Sequence, residues 1–447
     1  MSVEKPSGSL APVDWQQRKW SRADAKHLLW RTQFGASAEQ IARTHTDGSA
    51  KSLERLFSLQ PESTAFVAAD ELLRRAAMDT DSPASLKAWW LHRLFHSANP
   101  LPEKMALFWH NHFATSIAKV RSASAMAAQN DLCRREALGS FRRLLHGMTQ
   151  DGAMLVWLDG NANRRRHANE NFAREIMELF ALGEGHYSEK DIKEAARAFT
   201  GWHVREGQFW FNRDQHDFGI KTVFGKMGDF DGSAVVDLCL AQKACPRFLA
   251  TKLLRAFVLP QPAEAIVAAV AARVRAHDFA MGEVLRELLA SELFHSDEAR
   301  GALIKSPIEL ALGALRALEG QPNLRAVHAV TTLLGQDIFQ PPTVKGWEGG
   351  RLWITSASLL QRANFAATLT GSNQLGAINA PEISARKTDT TPAQIVAHYT
   401  DLLLARPPAP ETRQRLESYA AASTGETAER IRGLLHLIMA MPEFQLM

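Results

Sequence analysis

Residues 169–183 read NENFAREIMELFALG. At about 100° per residue, Glu170, Asn171, Arg174, Glu175 and Glu178 share one arc, while Phe172, Ala173, Ile176, Met177, Leu179 and Phe180 fill the rest. A chain that sorts polar from apolar side chains at this period is an amphipathic helix. The same period recurs at 84–96, 265–277 and 283–293. The fold class is therefore mainly α, a large multi-helix body rich in Ala, Leu, Arg and Glu. Its stops are marked: Pro102 in NPLP (99–102) predicts the first position of one helix, and Gly183 and Gly201 each follow another.

Outward from this strip, two stretches break the helical period. QFWFNRDQHDFGIKTVFG (208–225) sets aromatic and β-branched residues either side of a polar Asn/Asp/Gly turn, which predicts a small inserted β-hairpin. FQPPTVKGWEGGRLW (339–353) holds too many prolines and glycines for a helix and predicts an ordered loop weighted by its tryptophans. Residues 372–392 read as a polar linker before a final helical pair. The expected organisation is a flexible leader (1–20), a motif-bearing helical part with the hairpin (21–245), and a C-terminal helical part (246–447) packed on it in one continuous body.

Composition excludes several classes. With 447 residues, 46% hydrophobic and 22% charged, the chain is neither disordered nor fibrous. Fifty-two basic against 48 acidic residues is a small imbalance and gives no expectation of nucleic-acid binding. Cys133, Cys239 and Cys245 show neither a CxxC nor a zinc spacing. The first twenty residues contain no apolar signal region, and no apolar run is long enough to span a bilayer, so the expectation is a cytoplasmic protein without a membrane. GxGxxG after a strand, GxxxxGK[ST], GxSxG and HExxH are missing, so no nucleotide cofactor is expected.

The polar strip admits two readings. A Glu170–Arg174–Glu178 ladder at i,i+4 spacing makes an ordinary solvated face, whereas two asparagines, three carboxylates and an arginine on one strip would also suit a cleft for a cation or an anion. Upstream, Asp159, Asn161, Asn163 and Glu170 fall at positions 1, 3, 5 and 12 of a calcium loop, but Arg164 replaces the glycine at position 6 and three arginines follow one another. An Asp/Asn turn capping the next helix is the alternative.

In FWHNHF (108–113), His110 and His112 lie about 200° apart on a helix and would meet on one ion only if the helix had ended. His112 aligns with Met105, Phe108 and Trp109, hence inward. The predicted hairpin adds Asp214, His216, Asp217 and Lys221. Lys345, Trp347, Arg351 and Trp353 would suit recognition of a sugar or planar ligand, or pack under their own loop.

FWHNHFATS (108–116), LVWLDG (155–160), NENFAREIMELFALGEGHYSEKDIKEAARAFTGW (169–202), HDFGIKTVFG (216–225), RGALIKSPIEL (300–310) and PPTVKGWEGGRLW (341–353), in that order, closely resemble the bacterial domain-of-unknown-function family 1800. The resemblance runs from Asp24 to the end of the sequence. It implies a mainly helical fold, frequent export, and a frequent neighbour similar to alkaline phosphatases and sulfatases; the missing signal region departs from that habit. Matching positions are His110, Asn111 and His112; Asp159; Asn169, Glu170, Asn171, Arg174, Glu175 and Glu178; His216, Asp217 and Lys221; and Lys345, Gly346 and Trp347.

Two expectations follow. The first is a metal-dependent hydrolase or group-transfer enzyme. Glu170, Glu178, His112 and Asp159 would hold a divalent ion, and Glu175 would act as base beside His110. Arg174 and Lys221 would neutralise charge, Asn171 and His216 would complete the catalytic set, and Lys345 and Trp347 would bind substrate. The second is a non-catalytic binding or assembly partner of a phosphatase- or sulfatase-like protein.

Overall fold

The computed structural model describes residues 9–380, 391–422 and 427–447. Residues 1–8 of the expected leader and 381–390 of the expected linker lie outside that range. From Ser9 onward the leader is hydrogen-bonded: Leu293 N donates to Ser9 O, Glu292 N to Ala11 O, and Val13 N to Ala290 O.

Local chemistry explains most helix ends. Ser21 with Asp24, Ser37 with Gln40 and Ser306 with Glu309 form reciprocal capping boxes that satisfy orphan amides at the starts of Arg22–Thr32, Ala38–Phe57 and Pro307–Ala317. The helix carrying HNH spans Pro100–His112, so it begins two residues before Pro102. Both prolines fit, because first-turn amides have no helical acceptor to lose.

The fold is mainly α, as read, with three two-stranded sheets. The predicted hairpin needs correction. Gln208–Phe211 pairs backward with Trp202–Arg205, and Lys221–Val223 pairs forward with Lys226–Gly228. Their tight turns are Glu206-Gly207 and Phe224-Gly225, where both residues take positive φ, the geometry that suits a two-residue hairpin turn. The polar centre taken for a turn holds the short 3-10 helix Arg213–Gln215 instead. The third sheet pairs Gln321–Pro322 with Gly376–Ala377. Three helices, not two, close the chain: Pro392–Leu403, Pro410–Ala422 and Thr427–Ala440. The proline-rich stretch at 407–410 parts the first from the second.

One apolar cluster extends from Leu28 to Met447. Trp89, Trp90 and Trp109 are wholly buried in it. Beside them Glu103 receives Arg93 Nε at 3.0 Å, Arg134 Nε at 2.6 Å and Trp90 Nε1 at 3.3 Å. Arg31 ties distant parts of the sequence together. Its buried guanidinium donates to the carbonyls of Phe257 (2.9 Å), Val258 (3.1 Å), Ala299 and Met447 (2.8 Å). Burial pushes that arginine down to about 9. No helix among the described residues is long and apolar enough to cross a membrane.

Candidate functional site

The helix Pro100–His112 continues through the HNH motif, so its two histidines point to opposite sides. His110 is buried among the rings of Trp90, Phe339 and Trp347, and its Nε2 accepts the amide of Phe339 at 3.2 Å. Burial pushes it down to about 3, so it stays neutral. Asn111 clamps the Trp-containing loop: its Oδ1 accepts Trp347 N at 2.7 Å and its Nδ2 donates to Trp347 O at 3.1 Å. Gly346 packs against the Asn111 backbone so closely that a Cβ would stand 2.4 Å from the carbonyl oxygen.

His112 turns the other way. Its Nε2 donates to Phe180 O at 2.9 Å, which leaves Nδ1 to accept Lys252 Nζ at 2.9 Å. Phe180 belongs to the polar strip, which does not wind as expected. It is α-helical over Glu170–Glu175 and a π-helix over Ile176–Leu182, closed by Gly183 N donating to Glu178 O. His112 therefore caps a late carbonyl at the negative end of this helix, where the Lys252 cation is also favoured. Burial first, and the Lys252 charge second, hold His112 well below the usual histidine range.

The wider π turn also splits the expected ladder. Arg174 pairs with Glu170 at 3.2 Å and with Glu189 at 2.8 Å, but Glu178 receives the Tyr187 hydroxyl instead. Glu175 is half-buried and makes no hydrogen bond within the described residues. Burial, then the neighbouring Glu178, push its carboxyl up, against the opposing charges of Lys345 and Arg174.

The HNH helix and the Trp-containing loop border a cleft of about 980 Å³. Asn111, His112 and Lys252 line it, together with Lys345, Trp347, Arg351 and Trp353 of the loop. Lys104 sits within it, paired to Glu309. Lys345 pairs with exposed Glu184 at 2.8 Å. Lys252 differs from both: among the described residues no carboxylate pairs with it, only the neutral His112 ring and the face of Phe248, 4.6 Å away. Burial pushes it down to about 8.

The candidates thus divide. Asn111, His112, Lys345 and Trp347 share the cleft, and Glu175 and Glu178 lie within the field of Lys345. His110 lies beneath the loop. The others are held elsewhere. Asp159 pairs with Lys119 at 2.9 Å. Asn171 donates to Leu158 O at 3.4 Å. His216 donates from Nδ1 to Thr200 O at 2.7 Å, and Asp217 pairs with Arg197. Lys221 is fully buried, 3.8 Å from Asp229, and pushed down by that burial.

Glu170, Glu178, His112 and Asp159 do not fit a shared metal ion, since each contacts a different partner and both ring nitrogens of His112 are engaged. The calcium-loop oxygens serve the backbone: Asn161 Oδ1 accepts Val204 N and Asn163 Oδ1 accepts Asn169 N. Among the described residues no group of three His, Cys, Asp or Glu side chains is placed to hold a metal.

Sequence reasoning missed Lys252. Its signal was present: the helix Ala244–Phe257, ACPRFLATKLLRAF, contains no acidic residue, so no i±4 partner exists for a lysine beside an apolar stripe.

The family model described as Protein of unknown function (DUF1800) matches residues 27–446. The chain belongs to this family. The match includes every motif that meets at the cleft, from the HNH helix of this DUF1800 member to its Trp-containing loop. No curated protein and no solved structure matches it.

Proposed function

We propose that this DUF1800 protein binds an anionic, ring-bearing ligand in the cleft, of the class of phosphorylated, sulfated or carboxylated sugars. The observation that carries the reading is Lys252, a desolvated ammonium paired with an imidazole, whereas the other two lysines lining the cleft have carboxylates, Lys104 with Glu309 and Lys345 with Glu184. An arriving anion supplies the counter-charge that an ammonium facing only a neutral imidazole lacks. Arg351 and Lys345 add positive charge to the cleft lining, and the half-buried Trp353 offers apolar ring surface for a sugar face. A phosphatase- or sulfatase-like partner would act on esters of the same class.

Thermal-shift and calorimetric titration with glucose 6-phosphate, glucose 6-sulfate, glucuronate and glucose test this. Acidic sugars should stabilise the protein and glucose should not. Lys252→Met should weaken acidic-sugar binding about 30-fold, about 2 kcal/mol, while leaving the free protein equally or more stable, because a lone buried charge is replaced by an apolar isostere. Equal binding by Lys252→Met would refute the assignment.

A second reading, hydrolysis or group transfer, rests on Glu175, which holds its proton to higher pH than an ordinary glutamate and is not tied up in a hydrogen bond. A raised native pKa means that ionising Glu175 subtracts from stability once pH passes the ordinary value near 4.5, and fully so above the native value. Glu175→Gln should therefore leave the melting temperature at pH 8 unchanged or higher while any turnover of an acidic sugar is lost. A clear fall in melting temperature would mark a structural carboxylate and remove this reading.

A further inference from the structure

The sequence expectation of no membrane rests on the lack of a spanning segment, and peripheral docking needs none. Several half-buried arginines are paired in this protein: Arg22 with Asp401, Arg74 with Asp131, Arg142 with Asp237, Arg174 with Glu189. The first hairpin and the loop packed on it gather five exposed arginines close together. Arg164, Arg165, Arg166, Arg205 and Arg213 are all exposed, and among the described residues none pairs with a carboxylate.

Backbone contacts gather them on one part of the surface. Arg165 N donates to Gln215 O at 2.7 Å, Gly201 N to Asn163 O at 3.2 Å, and Asn161 Oδ1 accepts Val204 N at 2.6 Å. Between the arginines stand large apolar side chains that water would normally exclude: Trp210 is 40% exposed, Phe218 44% and Ile220 58%. His216, fixed to Thr200, is the post on which Phe211 and Phe218 lean, with ring centroids at 5.2 and 4.6 Å.

We infer that this arginine-rich hairpin face docks on an anionic phospholipid bilayer, with its guanidiniums at headgroup phosphates and Trp210, Phe218 and Ile220 dipping into the interface. Charge complementarity requires an anionic partner. A single-stranded nucleic acid is the competing polyanion, but it would stack on open aromatic faces. Here an arginine already stacks on one face of each ring, Arg205 over Trp210 at 5.7 Å and Arg213 over Phe218 at 5.0 Å. Ile220 offers no stacking surface at all. Aromatic rings and an aliphatic side chain flanked by arginine are the composition that partitions to a bilayer interface.

Flotation of the full chain with vesicles of phosphatidylcholine alone, or with about 30% phosphatidylglycerol, tests the inference. The protein should float with the anionic vesicles only, and should be released by about 0.5 M salt, where screening is short-ranged. R165A/R166A/R213A should weaken this binding about 100-fold and I220S about fivefold, with circular dichroism and melting unchanged because all four side chains face water. Three results would overturn it: no preference for anionic vesicles, full binding by the triple variant, or stronger retention on a single-stranded oligonucleotide than on vesicles at equal salt. Acidic-sugar binding in the cleft, read on the same variants, should not change, so this inference and the cleft assignment fail separately.

Discussion

Glu103→Gln should lower the stability of the protein by about 3 kcal/mol, the largest loss expected from a change that adds or removes no atom bulk. The Glu103 carboxylate is 1% exposed and faces Arg93 and Arg134, themselves largely buried against Trp89. Burial alone would raise its pKa, but Arg134 and then Arg93 outweigh it and hold the carboxyl below the usual range. A neutral amide keeps the shape and leaves two guanidiniums short of a counter-charge in a desolvated place, where removing one member of a buried pair costs about 3–5 kcal/mol. Asp70 and Asp131 still contact Arg93 and Arg134 respectively, which puts the estimate at the low end.

The sign with pH follows from the lowered native value: the carboxylate's contribution is complete above the ordinary glutamate pKa and fades as pH falls toward the native one. Urea midpoints of wild type and Glu103→Gln should therefore converge in acid. A difference under about 0.5 kcal/mol at pH 7 would mean that tryptophan packing alone holds these helices.

Gly346→Ala should release the Trp-containing loop and abolish acidic-sugar binding, with a smaller effect on global melting. Gly346 has φ +79°, and an added Cβ would meet Asn111 Oδ1 at 2.3 Å and the Asn111 carbonyl oxygen at 2.4 Å. Neither is the free end of a flexible chain, since both belong to the residue that clamps Trp347. Left-handed strain of about 1 kcal/mol adds to two broken hydrogen bonds, about 3 kcal/mol in all, and the loop can shed it by letting go of Asn111. Once it does, Trp347, Trp353, Arg351 and Lys345 leave the cleft lining that they share with Lys252. Affinity should drop at least about 30-fold and limited proteolysis should cut within 339–353. Gly350→Ala is the control. It carries φ +56° with nothing within 4 Å of the new Cβ, so it incurs strain alone and should keep most binding. Equal losses in the two variants would sink the clamp.

The HNH motif shows how far the sequence reached. Spacing put His112 inward and said that the two histidines diverge while the helix lasts; it lasts, and they do. Spacing could not say that the asparagine between them grips a loop more than 200 residues later, because that contact depends on two segments meeting in space. The strip at 169–183 shows the converse. Its polar and apolar sorting is local and was readable, but one π-helical turn moved Glu178 from Arg174 to Tyr187. The hairpin boundaries differ for a related reason: the turns sit at Glu206-Gly207 and Phe224-Gly225, whereas the denser polar cluster between them folds as a short 3-10 helix.

What the sequence determined by itself is the class of the fold and the places where helices stop, since hydrophobic period, caps and breakers act within a few residues of one another. It also carried the family membership, through motifs in fixed order. Which cleft lysine lacks a counter-charge, which carboxyl keeps its proton and which arginines stay unpaired were decided only in three dimensions. Desolvation and charge pairing sum over neighbours brought together by packing, and in this protein the neighbours that set Lys252, Glu103 and Asn111 come from helices and loops far apart along the chain.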